Sequence, residues 1–422
     1  MAVILEDLVV ERPVAGGDML ARHEGRVVFV SGAIPGERVR AEVVETKRHM
    51  VWARTVAVIE ASPDRRTPAS DPACGGLVYA HMTYARQCAL KGEVIVDAFR
   101  RLGKMTLPVA PAVATSPEAG YRWRARLHVR ERRAGFFLEG THAICDPAPS
   151  CQLLPATSEV VARVLAALGP RADACESMVL AENVDATERI VHLEAREKQH
   201  LDVSELRLPD GLVGVTGRAG RRLTVAGQPF VSDTASRLLA SRSDVPPDTT
   251  WRRGPESFFQ ANRYLTGTLL NCVLDHGQGA RVADLYAGVG LFAVGLAASG
   301  AAVLAVEGDP QSAEDLAANA QRWRPRLTTL EASVEDVSAA LRSHQPEIIV
   351  VDPPRAGLSR PALENILAAT PQRVVYVSCD PATLARDAAA LVAGEYDLGH
   401  VEAFDLFPNT AHVETVAVFD RR

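Results

Sequence analysis

Cysteine is scarce in this chain: seven residues among 422, an odd number at irregular spacing. That argues against a disulfide framework and for a reducing compartment, the cytoplasm. No apolar run reaches the ~18–20 residues that a membrane span needs, and the first residues lack the basic-then-apolar plan of a secretion signal. Internal repeats, low-complexity tracts and coiled-coil heptads are missing as well. So is a net positive charge: the formal balance is −6, which by itself argues against a nucleic-acid binder.

What is present changes that last point. Residues 1–135 hold 21 Lys+Arg against 15 Asp+Glu, so the N-terminal third is basic within an acidic chain. It is the natural candidate for contact with phosphates. Its densest stretch is Tyr121-Arg122-Trp123-Arg124-Ala125-Arg126-Leu127-His128-Val129-Arg130. At strand period, Arg122, Arg124 and Arg126 share one face, and Trp123, Ala125, Leu127 and Val129 share the other. A solvated strand face is the plainer reading of such a run, and both readings stand at this point.

With 47% hydrophobic and 23% charged residues the composition is that of a soluble globular protein, and 422 residues call for two or three domains. Residues 1–61 read as a small OB-like β-barrel, with strands over 9–14, 25–30, 38–47 and 50–60 broken by Gly/Pro turns. A Pro/Arg/Ser-rich linker covers 62–71. The middle, 62–250, reads as α+β, with helices over 84–102 and 158–168 and strands over 123–130, 135–138, 190–194, 212–216 and 223–225. From 251 to 422 strands (281–286, 302–307, 347–352, 373–378) alternate with helices (291–299, 311–321, 361–369, 383–391), and 413–419 is a last strand. This α/β alternation predicts a doubly wound, Rossmann-like parallel sheet with ligands at the C-terminal strand ends.

Four motifs fall at those ends. Asp284-Leu285-Tyr286-Ala287-Gly288-Val289-Gly290 is a glycine turn that lets a ligand approach the backbone, and Glu307, 23 residues after Asp284, can accept ribose hydroxyls. NAD competes for such a loop, but an acid before the turn and another at the second strand end suit S-adenosylmethionine better. Asp352-Pro353-Pro354-Arg355 follows a run of four β-branched residues. It resembles the Asp/Asn-Pro-Pro-aromatic loop of amino-methyltransferases, which hold a flipped base, with Arg355 in place of the aromatic ring.

Cys379 ends the strand Val374-Val375-Tyr376-Val377-Ser378 just before a helix whose dipole would favour a thiolate, although a lone Cys in such a run is more often packing. Glu414 lies 35 residues later inside an apolar stretch, where a carboxylate is costly unless paired or functional. It suits a general base; His412 is the alternative base. A nucleophile, a ring-holding acid and a proton acceptor together specify C5 methylation of a pyrimidine. A thiolate adds at C6, C5 becomes nucleophilic, and a base later removes the C5 proton.

These motifs resemble the S-adenosylmethionine-dependent RNA uracil-C5 methyltransferases, which make 5-methyluridine in tRNA or 23S rRNA. The likeness covers nearly the whole chain, with the family's TRAM RNA-binding barrel over 1–61 and its Phe-x-Gln-x-Asn element at Phe258-Phe259-Gln260-Ala261-Asn262. The resemblance implies cofactor contacts from Gln260, Tyr286, Gly288, Gly290, Glu307 and Asp352, with Cys379 as nucleophile and Glu414 as proton acceptor. Asp352, Arg355, Arg122, Arg124 and Arg126 are the expected RNA contacts.

Ala287 replaces a cysteine usual in the family's glycine loop. Cluster-bearing members also carry four cysteines for a [4Fe-4S] cluster, of which only Cys74 and Cys151 match here; Pro68 and Leu77 fill the other two positions. Two thiolates do not close such a site, so no cluster and no other metal is expected. A monomer is the expected state. A cytosine-C5 RNA methyltransferase and an RNA-binding protein of this fold without activity remain the competing readings.

Overall fold

The computed structural model describes residues 3–240 and 242–422. The first unit is a closed barrel of five strands, Ile4–Pro13, Met19–His23, Arg26–Ser31, Arg38–Lys47 and Met50–Glu60. The expected strand over 25–30 is therefore the second half of a hairpin. Glu24 and Gly25 turn at positive φ between Met19–His23 and Arg26–Ser31. Alternate residues such as Val28, Val30, Val39 and Ala41 fill the interior.

The middle segment builds a seven-stranded sheet around Cys175–Glu182. Arg124–Arg130 pairs antiparallel with that strand, and Arg189–Ala195 flanks it on the other side. Burial alternates along Arg124–Arg130 as the sequence predicts: Ala125, Leu127 and Val129 face the core shared with helix Pro155–Leu168. The central strand itself is absent from the sequence reading. All but one of its residues are buried, so it shows no alternation to read.

The C-terminal sheet has eight strands in the order Leu327–Glu331, Ala302–Glu307, Arg281–Leu285, Ile348–Val351, Arg373–Ser378, Glu414–Arg421, Tyr396–Phe404 and Val113–Ala114. The first five are parallel, with helices on both faces, as doubly wound folds require. Glu414–Arg421 then runs antiparallel to Arg373–Ser378, so the sheet is mixed rather than wholly parallel. The middle segment reaches into this layer: helix Tyr84–Arg101 buries Ile95 and Phe99 in the sheet's core, and Val113–Ala114 pairs with the edge of Tyr396–Phe404.

One pairing departs from the expectation for the cysteines. Cys74 and Cys145, 71 residues apart, form a disulfide. The hydrogen bond from Gly75 N to Phe137 O and the bridge between Cys74 and Leu138 bring the two chain segments together. Cys151, the other residue matching the cluster pattern, is exposed and outside the bond. Sulfurs joined in a disulfide are not thiolate ligands, so these residues do not fit a four-thiolate cluster.

Candidate active site

Four neighbouring strands end on the same side. Tyr286 follows Leu285, Asp352 follows Val351, Cys379 follows Ser378, and Glu414 opens the antiparallel strand beside Cys379. Ser378 is in register with Thr415, so Cys379 and Glu414 are the next residues beyond the last pair. Strand pairing, parallel for the first three and antiparallel for the strand of Glu414, is what converts motifs up to 128 residues apart into one cluster.

The glycine turn closes tightly. Tyr286, Gly288 and Gly290 all have positive φ (62°, 56° and 89°), and the last of these caps helix Leu291–Ala298. Glu307 accepts from the backbone N–H of Gly288 at 2.7 Å and of Asp309 at 2.7 Å. Each oxygen retains a further lone pair, and the residue is half-buried, so it remains open to a hydroxyl. Asp284 lies at the base of the turn, fully buried, with neither oxygen paired. Burial, then Asp352 and Glu307, push its carboxyl well above the usual range.

Beside the turn is a small pocket walled by Phe258, Phe259, Tyr286, Val289 and Phe292, with Gln260 and Asp352 as its polar groups. Gln260 Nε2 donates to Asp352 Oδ2 at 3.1 Å. Burial raises the Asp352 carboxyl to about 7; the Gln260 bond opposes the rise and Glu307 adds to it. Aromatic walls with carboxylates crowded together fit a cationic nucleoside such as S-adenosylmethionine, whose positive charge relieves that crowding.

The environment of Cys379 differs from the expectation. Asp380 accepts from Ala382 N and Thr383 N, both at 2.9 Å, and thereby caps helix Pro381–Ala393. The free N–H groups that would have favoured a thiolate are taken by that carboxylate. Burial, then Glu414 and Asp352, raise the Cys379 thiol to about 11, while Arg355 pulls it down. Glu414 is 4% exposed, and burial followed by Asp352 raises it well above the carboxylate range. Both groups are thereby biased toward their protonated forms.

Arg355 is exposed and reaches His412, with Nη2 3.3 Å from Nε2. A guanidinium only donates, so Nε2 accepts and the imidazole proton sits on Nδ1. Burial, then Arg355, Lys91 and Arg122, lower His412 to about 4 and keep it neutral.

The arginine strand divides. The Arg122 guanidinium is 5.4 Å from the centre of the Phe407 ring and 5.5 Å from that of Phe136, facing the loop that leads to Glu414. Arg124 bonds the Glu256 carbonyl at 3.2 Å, and burial, then Arg126 and Arg253, lower it to about 10. It lies inward of the face the sequence assigned to it. Arg126 is exposed, with one bond to Ser177 Oγ at 3.2 Å.

A clamp beneath the site is absent from the sequence reading. Lys91, 1% exposed, donates to Asp405 Oδ1 at 2.5 Å and Phe407 O at 3.1 Å. Gln87, one helical turn earlier, bonds both the amide oxygen and the backbone N–H of Asn409, which has φ of 65°. Asn262 adds a bond to Leu406 O at 3.1 Å. A Gln and a Lys four apart on the buried face of an amphipathic helix are the signal that could have revealed it.

Comparison with known proteins follows the same lines. The family described as tRNA (Uracil-5-)-methyltransferase matches residues 194–422, and the TRAM domain matches residues 6–56. An RNA methyltransferase of Streptomyces coelicolor is 33% identical over 97% of this chain and 91% of its own length. The 23S rRNA (uracil(1939)-C(5))-methyltransferase RlmD of Halomonas elongata is 32% identical over 98% of this chain and 89% of its own. Among solved structures, the Pyrococcus abyssi tRNA (uracil-54, C5)-methyltransferase in complex with S-adenosyl-L-homocysteine superposes with a TM-score of 0.75. It is 24% identical, covers 98% of this chain and 99% of its own, and shares the fold.

Proposed function

The chain belongs to the tRNA (uracil-5-)-methyltransferase family, S-adenosylmethionine-dependent enzymes that methylate uracil C5 in RNA, and from that premise we propose a covalent mechanism centred on Cys379. Cys379 and Glu414 first release their protons to solvent, and the Cys379 thiolate adds to uracil C6: the Sγ–C6 bond forms and the C5–C6 π pair moves towards C5 and O4. Arg355 is the cation that favours this thiolate, and Asp352 holds the ring. S-adenosylmethionine, held by Gln260, Tyr286, Gly288, Gly290 and Glu307, supplies the electrophilic methyl group for C5 when bound. Glu414, as carboxylate, takes the C5 proton. The electron pair restores the C5–C6 double bond, the Sγ–C6 bond breaks, and Cys379 is freed. The buried setting that raises Glu414 makes its carboxylate a strong base once formed.

The observation that carries this reading is the convergence of Asp352, Cys379 and Glu414 on three adjacent strand ends. For the target we favour a uridine of 23S rRNA, which the names of relatives from Halomonas elongata and Thiobacillus denitrificans support. A tRNA is the second target, since the family's own description names it. The protein acts in the cytoplasm as a monomer, with the N-terminal barrel and the segment bearing Arg122 and Arg126 holding the RNA; no helix among the described residues is long and apolar enough to cross a membrane.

Two variants test the division of labour. Cys379→Ala is expected to abolish methyl transfer, and Glu414→Gln to form the RNA adduct but release it slowly, so that protein–RNA conjugate accumulates on denaturing gels. Methyl transfer by Cys379→Ala would sink the mechanism. Mapping 5-methyluridine in tRNA and 23S rRNA, from cells with and without the protein, decides the target.

A further inference from the structure

The outermost strand of the C-terminal sheet, Leu327–Glu331, is preceded by Arg322-Trp323-Arg324-Pro325-Arg326. Three guanidiniums in five residues stand out here, because residues 136–422 hold only 25 Lys+Arg against 37 Asp+Glu. All three arginines are exposed, and Trp323 is half-buried against the sheet's core. Arg322 lies 5.1 Å over the Trp323 ring and donates to the carbonyl of Asp248 at 2.9 Å and to its carboxylate at 3.0 Å. That fixes one end of the patch. Arg324 has no side-chain partner among the described residues, and Arg326 reaches only the Ala297 carbonyl, at 3.5 Å. In a region with acid to spare, two arginines are left unpaired beside an aromatic ring.

Their position matters as much as their charge. The segment lies at the N-terminal end of the edge strand, whereas Tyr286, Asp352 and Cys379 lie at the C-terminal ends of the strands two, three and four places away in the sheet. At about 3.3 Å per residue along the five-residue strand and about 4.8 Å between strands, the segment lies roughly 25 Å from Cys379. We propose that residues 322–326 bind the phosphate backbone of the RNA substrate at a point remote from the methylated uridine, so that the RNA passes round the sheet edge. The choice of RNA over an acidic protein rests on the function proposed above. A hairpin of a few base pairs seated in the active site leaves a path of that length round the sheet edge uncovered; a large structured RNA covers it.

The test compares Arg324→Glu/Arg326→Glu with the wild type in filter binding to a long structured RNA transcript and to a short hairpin, over a series of salt concentrations. Both positions are exposed, so unchanged thermal unfolding checks that the fold is intact. For the long transcript, Kd is expected to rise about tenfold and the log–log salt slope to fall by about 2, near one unit per lost phosphate contact. For the hairpin, no change is expected. Equal loss on both RNAs, or loss on neither, would overturn the proposal. In the second case, binding of a polyglutamate peptide by the wild type alone would assign the patch to an acidic protein. Failure of the wild type to methylate any RNA would instead defeat the function proposed above, while the binding comparison would stand.

Discussion

Cys379 holds its proton in the free protein because burial and the carboxyls of Glu414 and Asp352 oppose a thiolate. Adduct formation is therefore expected to speed up as pH rises from 7 towards 9, since the thiol titrates near about 11. In Arg355→Gln the thiol loses its cationic neighbour, so single-turnover adduct formation is expected to slow at every pH in that range. Asp352 gives a second expectation. Its folded pKa of about 7 lies above the ordinary 3.8, so its stabilising contribution is full below that lower value and is lost as pH rises through 7. The ligand-free protein is expected to melt lower at pH 8 than at pH 5, and Asp352→Asn to reduce that difference, as calorimetry would read. Cys379, Asp352 and Glu307 were legible as candidates because each lies at the end of a strand, and Glu414 because it is a carboxylate opening an apolar one. Their protonation was not, because it depends on which groups the sheet brings side by side, and the helix dipole expected to activate Cys379 is capped by Asp380.

Among the elements, those with strong period or β-branched runs were legible, such as Ile348–Val351 and Arg373–Ser378. Tyr396–Phe404 was missed because Asp397, Gly399 and His400 are poor strand formers. Thr266–His276 was missed because Thr, Gly, Asn and Cys are weak helix formers, and its stability comes from packing against helix Leu291–Ala298. Helix Tyr84–Arg101 was read correctly as an element but not as a support for the active site. Its Lys91–Asp405 pair is buried on both sides, so Lys91→Met strands a carboxylate and is expected to cost about 3–5 kcal/mol in denaturant unfolding. The double variant Lys91→Met/Asp405→Leu is expected to recover much of that stability but not the turnover, because the bond that holds the Phe407 carbonyl stays lost.

At the scale of the whole molecule, three stretches of different pattern were legible along the chain. Their interdigitation was not. A helix and a two-residue strand from the middle segment complete the C-terminal sheet, and no local pattern announces contacts that span about three hundred residues. The Cys74–Cys145 bond belongs to the same class of long-range fact. Thiol titration of the unfolded, unreduced protein is expected to count five thiols rather than seven, the free set being Cys88, Cys151, Cys175, Cys272 and Cys379. The Cys74→Ala/Cys145→Ala protein is expected to lose about 2–4 kcal/mol of stability, measured in denaturant. The covalent role proposed for Cys379 organises all three scales, since the strand ends and the clamp meet around it. The most direct measurement is trapping with RNA in which the target uridine is replaced by 5-fluorouridine, followed by peptide mass spectrometry. Fluorine at C5 leaves no proton for Glu414 to remove, so the expected result is a stable conjugate mapped to Cys379 and absent from Cys379→Ala. A conjugate on another residue, or efficient methylation without any, would contradict the account.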